Sequence, residues 1–165
     1  MRFEVHHRFK CSAERLWTII MDTAYQAQVD QAARLTRTVV EDRQTADGPR
    51  RSVRFEPEAT LPAAAQRALG TKKLVYLQEQ RWRERDLSMK WRVVVEALPD
   101  RVRCSGDFKV SPRAGGECER RVTGEVVVNI PLLGARIERR IVDELKDSYG
   151  RTADVTRSWI TQHTD

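Results

Sequence analysis

Residues 89–110 read Met89-Lys90-Trp91-Arg92-Val93-Val94-Val95-Glu96-Ala97-Leu98-Pro99-Asp100-Arg101-Val102-Arg103-Cys104-Ser105-Gly106-Asp107-Phe108-Lys109-Val110. Apolar and charged residues alternate on both sides of Pro99-Asp100, which is the period of a half-buried strand pair joined by a turn. Folding the chain about Pro99-Asp100 sets Val95 opposite Cys104, Val93 opposite Gly106 and Trp91 opposite Phe108. Opposite residues of an antiparallel pair share a face, so the alternation must stay in phase from one strand to the next.

The same test extends in both directions. Strands are expected at 74–84, 89–97, 101–110 and 117–130. The link at Pro112 to Gly116 sets Phe108 opposite Arg120, Gly106 opposite Val122 and Cys104 opposite Gly124. The link at Glu84 to Leu87 sets Trp82 near Trp91 or Met89. One face then collects Tyr76, Gln78, Gln80, Trp82, Trp91, Val93, Val95, Val102, Cys104, Phe108, Val110, Val122, Val126, Val128 and Ile130. The other collects Glu79, Arg81, Arg83, Arg92, Glu96, Arg101, Arg103, Asp107, Lys109, Arg121 and Glu125. This is a meander with one covered and one wet face.

Upstream, residues 2–10 alternate as a further strand, with Phe3, Val5, His7 and Phe9 in the apolar phase. Ser12 offers a helix N-cap with Glu14 in the first turn. A short helix carrying Leu16, Trp17 and Ile20 follows, then a second from Thr23 to about Ala33. Residues 35–43 and 51–57 flank Asp47-Gly48-Pro49, a hairpin turn signal. Leu61-Pro62 to Gly70 reads as a short inserted helix: proline suits its first turn, three alanines favour it and glycine stops it. From Leu132 to His163, Leu133, Ile137, Ile141, Leu145, Tyr149, Thr152, Val155 and Trp159 recur at three- and four-residue steps. This is a long amphipathic helix of about 40 Å, able to cover the apolar face. Gly150 within it allows a bend or a close approach to the sheet.

Composition removes several classes of function. The 165 residues fit one domain spanning 1–165, with 40% hydrophobic residues and no apolar run near the ~20 residues of a membrane span. The N-terminus lacks the apolar core of a secretory signal, so the expected location is the cytoplasm. The net charge is +6, but acids are interspersed with the bases, as in Arg136 to Glu144, so nucleic acid is not an expected partner. Cys11, Cys104 and Cys118 form no CxxC pair and read as buried free thiols. His6 and His7 face opposite sides of a strand and cannot both hold one metal, and no metal or cofactor motif occurs.

The order of elements resembles the helix-grip fold of the START-like superfamily, which includes lipid-transfer domains, polyketide cyclases and aromatases. Leu61-Pro62 with Leu69-Gly70, Trp82, the run Gly124-Glu125-Val126-Val127-Val128-Asn129-Ile130-Pro131-Leu132-Leu133-Gly134, and Trp159-Ile160 are similar to motifs of a bacterial family within it that carries no assigned activity. The resemblance implies an α+β fold: a curved antiparallel sheet of about seven strands around a long C-terminal helix, enclosing a cavity for hydrophobic molecules. It transfers no catalytic residue.

The covered face holds polar exceptions. Gln78, Gln80 and Arg120 sit among apolar neighbours, and a buried guanidinium needs a partner. Arg120 pairs with Glu138, Asp143 or Glu144 of the long helix, reaches solvent at the sheet end or, with the glutamines, holds the polar end of an apolar ligand. The expected ligand site is Tyr76, Gln78, Gln80, Trp82, Trp91, Val93, Phe108, Arg120, Ile141, Leu145 and Tyr149. Gly106 and Gly124 either bend the sheet or leave room for that ligand. The expected function is non-catalytic binding or carriage of a small hydrophobic molecule. The alternatives are a cyclase, aromatase or hydratase using His7, Tyr76 or Tyr149, and a protein-interaction module.

Overall fold

The structure, a computed structural model, describes residues 1–163 and, at Ala65 and Ala68, the backbone alone. The chain runs β1 (Arg2–Phe9), α1 (Ala13–Met21), α2 (Thr23–Ala33), β2 (Leu35–Thr45), β3 (Gly48–Pro57), α3 (Ala63–Leu69), β4 (Tyr76–Arg83), β5 (Ser88–Val95), β6 (Val102–Pro112), β7 (Cys118–Val128) and α4 (Gly134–Gln162). The seven strands form one antiparallel sheet in the order β1-β7-β6-β5-β4-β3-β2. No helix among the described residues is long and apolar enough to cross a membrane.

Local chemistry sets the helix boundaries. The Ser12 hydroxyl accepts from the Arg15 amide at 3.1 Å and the Asp22 carboxylate accepts from the Tyr25 amide at 2.9 Å, so α1 and α2 each begin on a side-chain cap. Asp22 also ends α1, its amide bonding to Ile19. These shared caps turn the chain sharply between the two helices.

The face assignment from alternation holds. Trp82, Trp91, Val95, Val102, Cys104, Phe108, Val110, Val122, Val126 and Val128 are buried, while Arg81, Arg83, Arg92, Arg103, Lys109 and Arg121 are exposed. The pairing differs by two residues at two links. Cys104 faces Val93, Gly106 faces Trp91 and Phe108 faces Met89. Across the next link Arg120 faces Val110, Val122 faces Phe108 and Gly124 faces Gly106. The first turn closes on Leu98, whose amide bonds to Val95 and whose carbonyl accepts from Val102, so the fold axis precedes Pro99-Asp100. The second contains a 3-10 turn, Ala114–Gly116, with Gly115 and Gly116 in left-handed backbone. At the third link Trp82 faces Met89.

Gly106 and Gly124 are opposite each other, and their missing side chains are replaced by rings. A Cβ on Gly106 would lie 1.9 Å from the Thr123 carbonyl oxygen and 2.6 Å from the Trp91 ring; one on Gly124 would lie 2.7 Å from the Phe3 ring. The room the glycines create is therefore taken by Trp91 and Phe3, whose ring centroids are 6.2 Å apart. Gly150 does not mark a close approach to the sheet, since nothing lies within 4 Å of a Cβ there. The three cysteines are buried and free. Burial pushes the Cys104 and Cys118 thiols up to about 12, which keeps them protonated.

The helices touch down unevenly. Helix α4 packs on α2, β7 and β1; α1 packs on β6 and β7; α2 packs on β2. The space above the intervening strands is where the cavity opens.

Candidate functional site

A cavity of about 280 Å³ lies between the sheet, the α1–α2 pair and the middle of α4. Its floor is Val53, Gln80, Trp82, Met89 and Phe108, one or two residues from each of β3 to β6. Ile20, Met21, Tyr25 and Val29 form the roof from α1 and α2. Arg120, Tyr149 and Thr152 close the inner end, and Arg37, Val39, Asp42 and Arg51 come from the open edge. Alternation explains the floor, because every strand residue on it is in the inward phase.

Polar groups on this wall are held in place. The Trp82 indole donates to Gln80 at 3.0 Å, and the Gln80 amide donates to Gln78 at 2.7 Å. This relay is how a buried glutamine is satisfied. At the edge, Arg37 donates to Asp30 at 2.8 Å and Arg51 to Asp42 at 2.9 Å. The Tyr25 hydroxyl lies 2.7 Å from that of Thr156, which ties α2 to α4.

Arg120 is 3% exposed, and the salt bridge expected with the long helix is absent among the described residues. Its hydrogen bonds all run from Nη2: 3.1 Å to the Tyr149 carbonyl, 3.5 Å to the Thr152 hydroxyl and 3.3 Å to His7 Nδ1. Its Nε is buried without a partner. Glu138 instead accepts from the Val128 amide, and Glu144 from Arg151. The guanidinium carbon lies 5.3 Å from the Phe9 ring centre and 5.7 Å from that of Tyr149, so ring faces supply part of the compensation. Burial lowers the Arg120 pKa, a sign that the fold disfavours its charge.

His7 is held neutral, its pKa brought down to about 4 by burial first and the Arg120 charge second. The unfolded ring titrates near 6.5, above the folded value, so the unfolded chain takes up the extra proton between the two. Stability is full above pH 6.5 and falls as the pH drops toward 4. Unscreened, the displacement corresponds to about 3 kcal/mol; solvent at the half-buried ring reduces it to about 1–2 kcal/mol. Urea unfolding at pH 7 and pH 4.5 is expected to show this loss, and His7→Gln to reduce it.

Of the expected site residues, the structure gathers Gln80, Trp82, Phe108, Arg120 and Tyr149 at the cavity wall. Gln78 stands behind Gln80. Tyr76 stacks on Phe55 with centroids 5.3 Å apart. Trp91 fills the glycine slot, its indole nitrogen buried without a partner. Val93, Ile141 and Leu145 pack against the core outside the cavity wall. The α1–α2 roof, the floor residues Val53 and Met89, Thr152 at the inner end and the edge residues Arg37, Val39, Asp42 and Arg51 are outside the expected set. Following the alternation through the hairpin at Asp47-Gly48-Pro49 places Arg51 and Val53 in the inward phase with Phe55, a signal available in the sequence.

Comparison with known proteins agrees with this architecture. A family model described as Protein of unknown function (DUF2505) matches residues 4–160. No curated protein matches the sequence. A Thermus thermophilus protein of known structure has a TM-score of 0.72 at 14% identity, with 100% of both chains covered. The Zhui aromatase/cyclase from Streptomyces sp. R1128 has a TM-score of 0.70 at 9% identity, covering 98% of this chain and 94% of that one. A START superfamily protein from Mycobacterium smegmatis has a TM-score of 0.64 at 14% identity, covering 99% of both. The chain therefore has the START-like helix-grip fold.

Proposed function

We infer that this chain, which belongs to the family of proteins of unknown function DUF2505, binds or carries a small hydrophobic ligand without transforming it. The observation that carries this reading is the cavity itself: apolar side chains from the floor and the α1–α2 roof, with a fixed Gln80 on the floor, Arg120 and Thr152 at the inner end and paired charges at the open edge. That is the composition of small-molecule sites, and its volume is at their lower limit of about 300 Å³. A compact ring-bearing molecule suits it, whereas a diacyl lipid does not.

Catalysis has one supporting observation, the Tyr149 side chain at the cavity wall in a fold shared with an aromatase/cyclase. Burial pushes the Tyr149 hydroxyl up to about 12, so it serves as a hydrogen-bond donor and not as a base at neutral pH. His7 and Tyr76 are not part of the wall, which favours carriage over proton transfer.

Native mass spectrometry of the protein purified from its own host tests the proposal. A co-purifying compound that is displaced by an excess of a small apolar dye is expected. A ligand-free protein that also fails to bind the dye would overturn it.

A further inference from the structure

The charges around the cavity do not cancel. Arg37 is paired with Asp30 and Arg51 with Asp42. Arg120 has no carboxylate partner among the described residues, and His7, its nearest ring neighbour, is neutral near pH 7. Tyr149, protonated at that pH, supplies no counter-charge either. A guanidinium 3% exposed at the inner end of the cavity is costly unless something negative reaches it.

We propose that the ligand is an acid, a compact apolar molecule bearing one carboxylate that the Arg120 guanidinium receives at the inner end of the cavity. This rests on the ligand-binding reading above and narrows it. Arg120 spends only Nη2 on the protein, so the remaining N–H groups of the guanidinium include donors for a carboxylate oxygen. Charge-assisted bonds of this kind are about twice as strong as neutral ones. The ring faces of Trp82 and Phe108, both on the wall, take the apolar body. At the entrance the Arg37 and Arg51 charges are matched by Asp30 and Asp42, so the preference for an acid rests on Arg120.

Isothermal titration calorimetry at pH 7 with 2-naphthoate, 4-tert-butylbenzoate and octanoate, each against the alcohol of the same skeleton, decides the matter. At least one acid is expected to bind tenfold or more tightly than its alcohol. Arg120→Gln is expected to erase that preference, and Arg120→Lys to keep part of it. Circular dichroism confirms that each variant is folded. Alcohols that bind as tightly as acids would overturn the proposal while sustaining a neutral hydrophobic ligand. An acid preference that survives in folded Arg120→Gln would overturn the role of Arg120. If neither acids nor alcohols bind, this proposal and the ligand-binding reading fall together.

Discussion

Gly106→Ala is expected to destabilise the protein by about 3 kcal/mol or more, at the upper end of what an added methyl costs in a packed interior. The new Cβ would stand 1.9 Å from the Thr123 carbonyl oxygen and 2.8 Å from the Gly124 Cα. Both are backbone atoms of the neighbouring strand, so no rotamer change relieves the clash and β6 must move away from β7. The Trp91 ring at 2.6 Å closes the remaining direction. Gly106→Val is expected not to fold. Gly150→Ala is the counterpart, since its Cβ meets nothing within 4 Å and it lies inside α4. It is expected to stabilise by about 0.5–1 kcal/mol. Urea unfolding of the three variants beside the parent chain checks both signs. At this chain length a 3 kcal/mol loss also lowers Tm by roughly 6–12 °C. Equal stability of Gly106→Ala and the parent would mean that β6 and β7 are not packed this closely.

Gly106 also shows which part of the fold is legible in sequence. Its face follows from the two-residue period, and alternation places it with Cys104 and Phe108 on the covered side, as found. Its partner does not follow, because sliding a strand by two residues keeps every side chain on its face. Turn geometry makes that choice, and it depends on backbone conformation at Leu98, Gly115 and Gly116 rather than on the proline that marks the turn. Arg120 is legible for the same reason as the face: a cation in an apolar phase is a visible exception. Its partners are not, since Tyr149, Thr152 and His7 meet it only through packing of α4 and β1 against β7. The roof of the cavity lay furthest from view. The α1 stripe identifies a buried face, but nothing local says that α1 settles on β6 and β7 and α2 on β2, leaving a gap above the strands between.

Arg120→Met is expected to raise stability, by about 1–3 kcal/mol, while impairing ligand binding. Replacing buried charge with an apolar side chain of similar length is commonly neutral or stabilising, because the desolvation cost disappears with the charge. Here that cost is visible as a lowered Arg120 pKa and a buried Nε with no acceptor. Little is orphaned by the change. The Tyr149 carbonyl still accepts from the Thr152 hydroxyl at 3.1 Å, and Phe9 keeps Arg157 over its ring at 5.7 Å. His7 loses a neighbouring cation that helps to depress its pKa, so its titration, followed by NMR, is expected to move upward toward 6.5. The acid-dependent loss of stability would shrink with it. A charge that the fold would be more stable without is most simply kept for what it holds. Should Arg120→Met instead lose several kcal/mol, the cation belongs to the scaffold, bound by Phe9 and Tyr149 and by its three acceptors, and the case for a ligand at its free N–H groups fails.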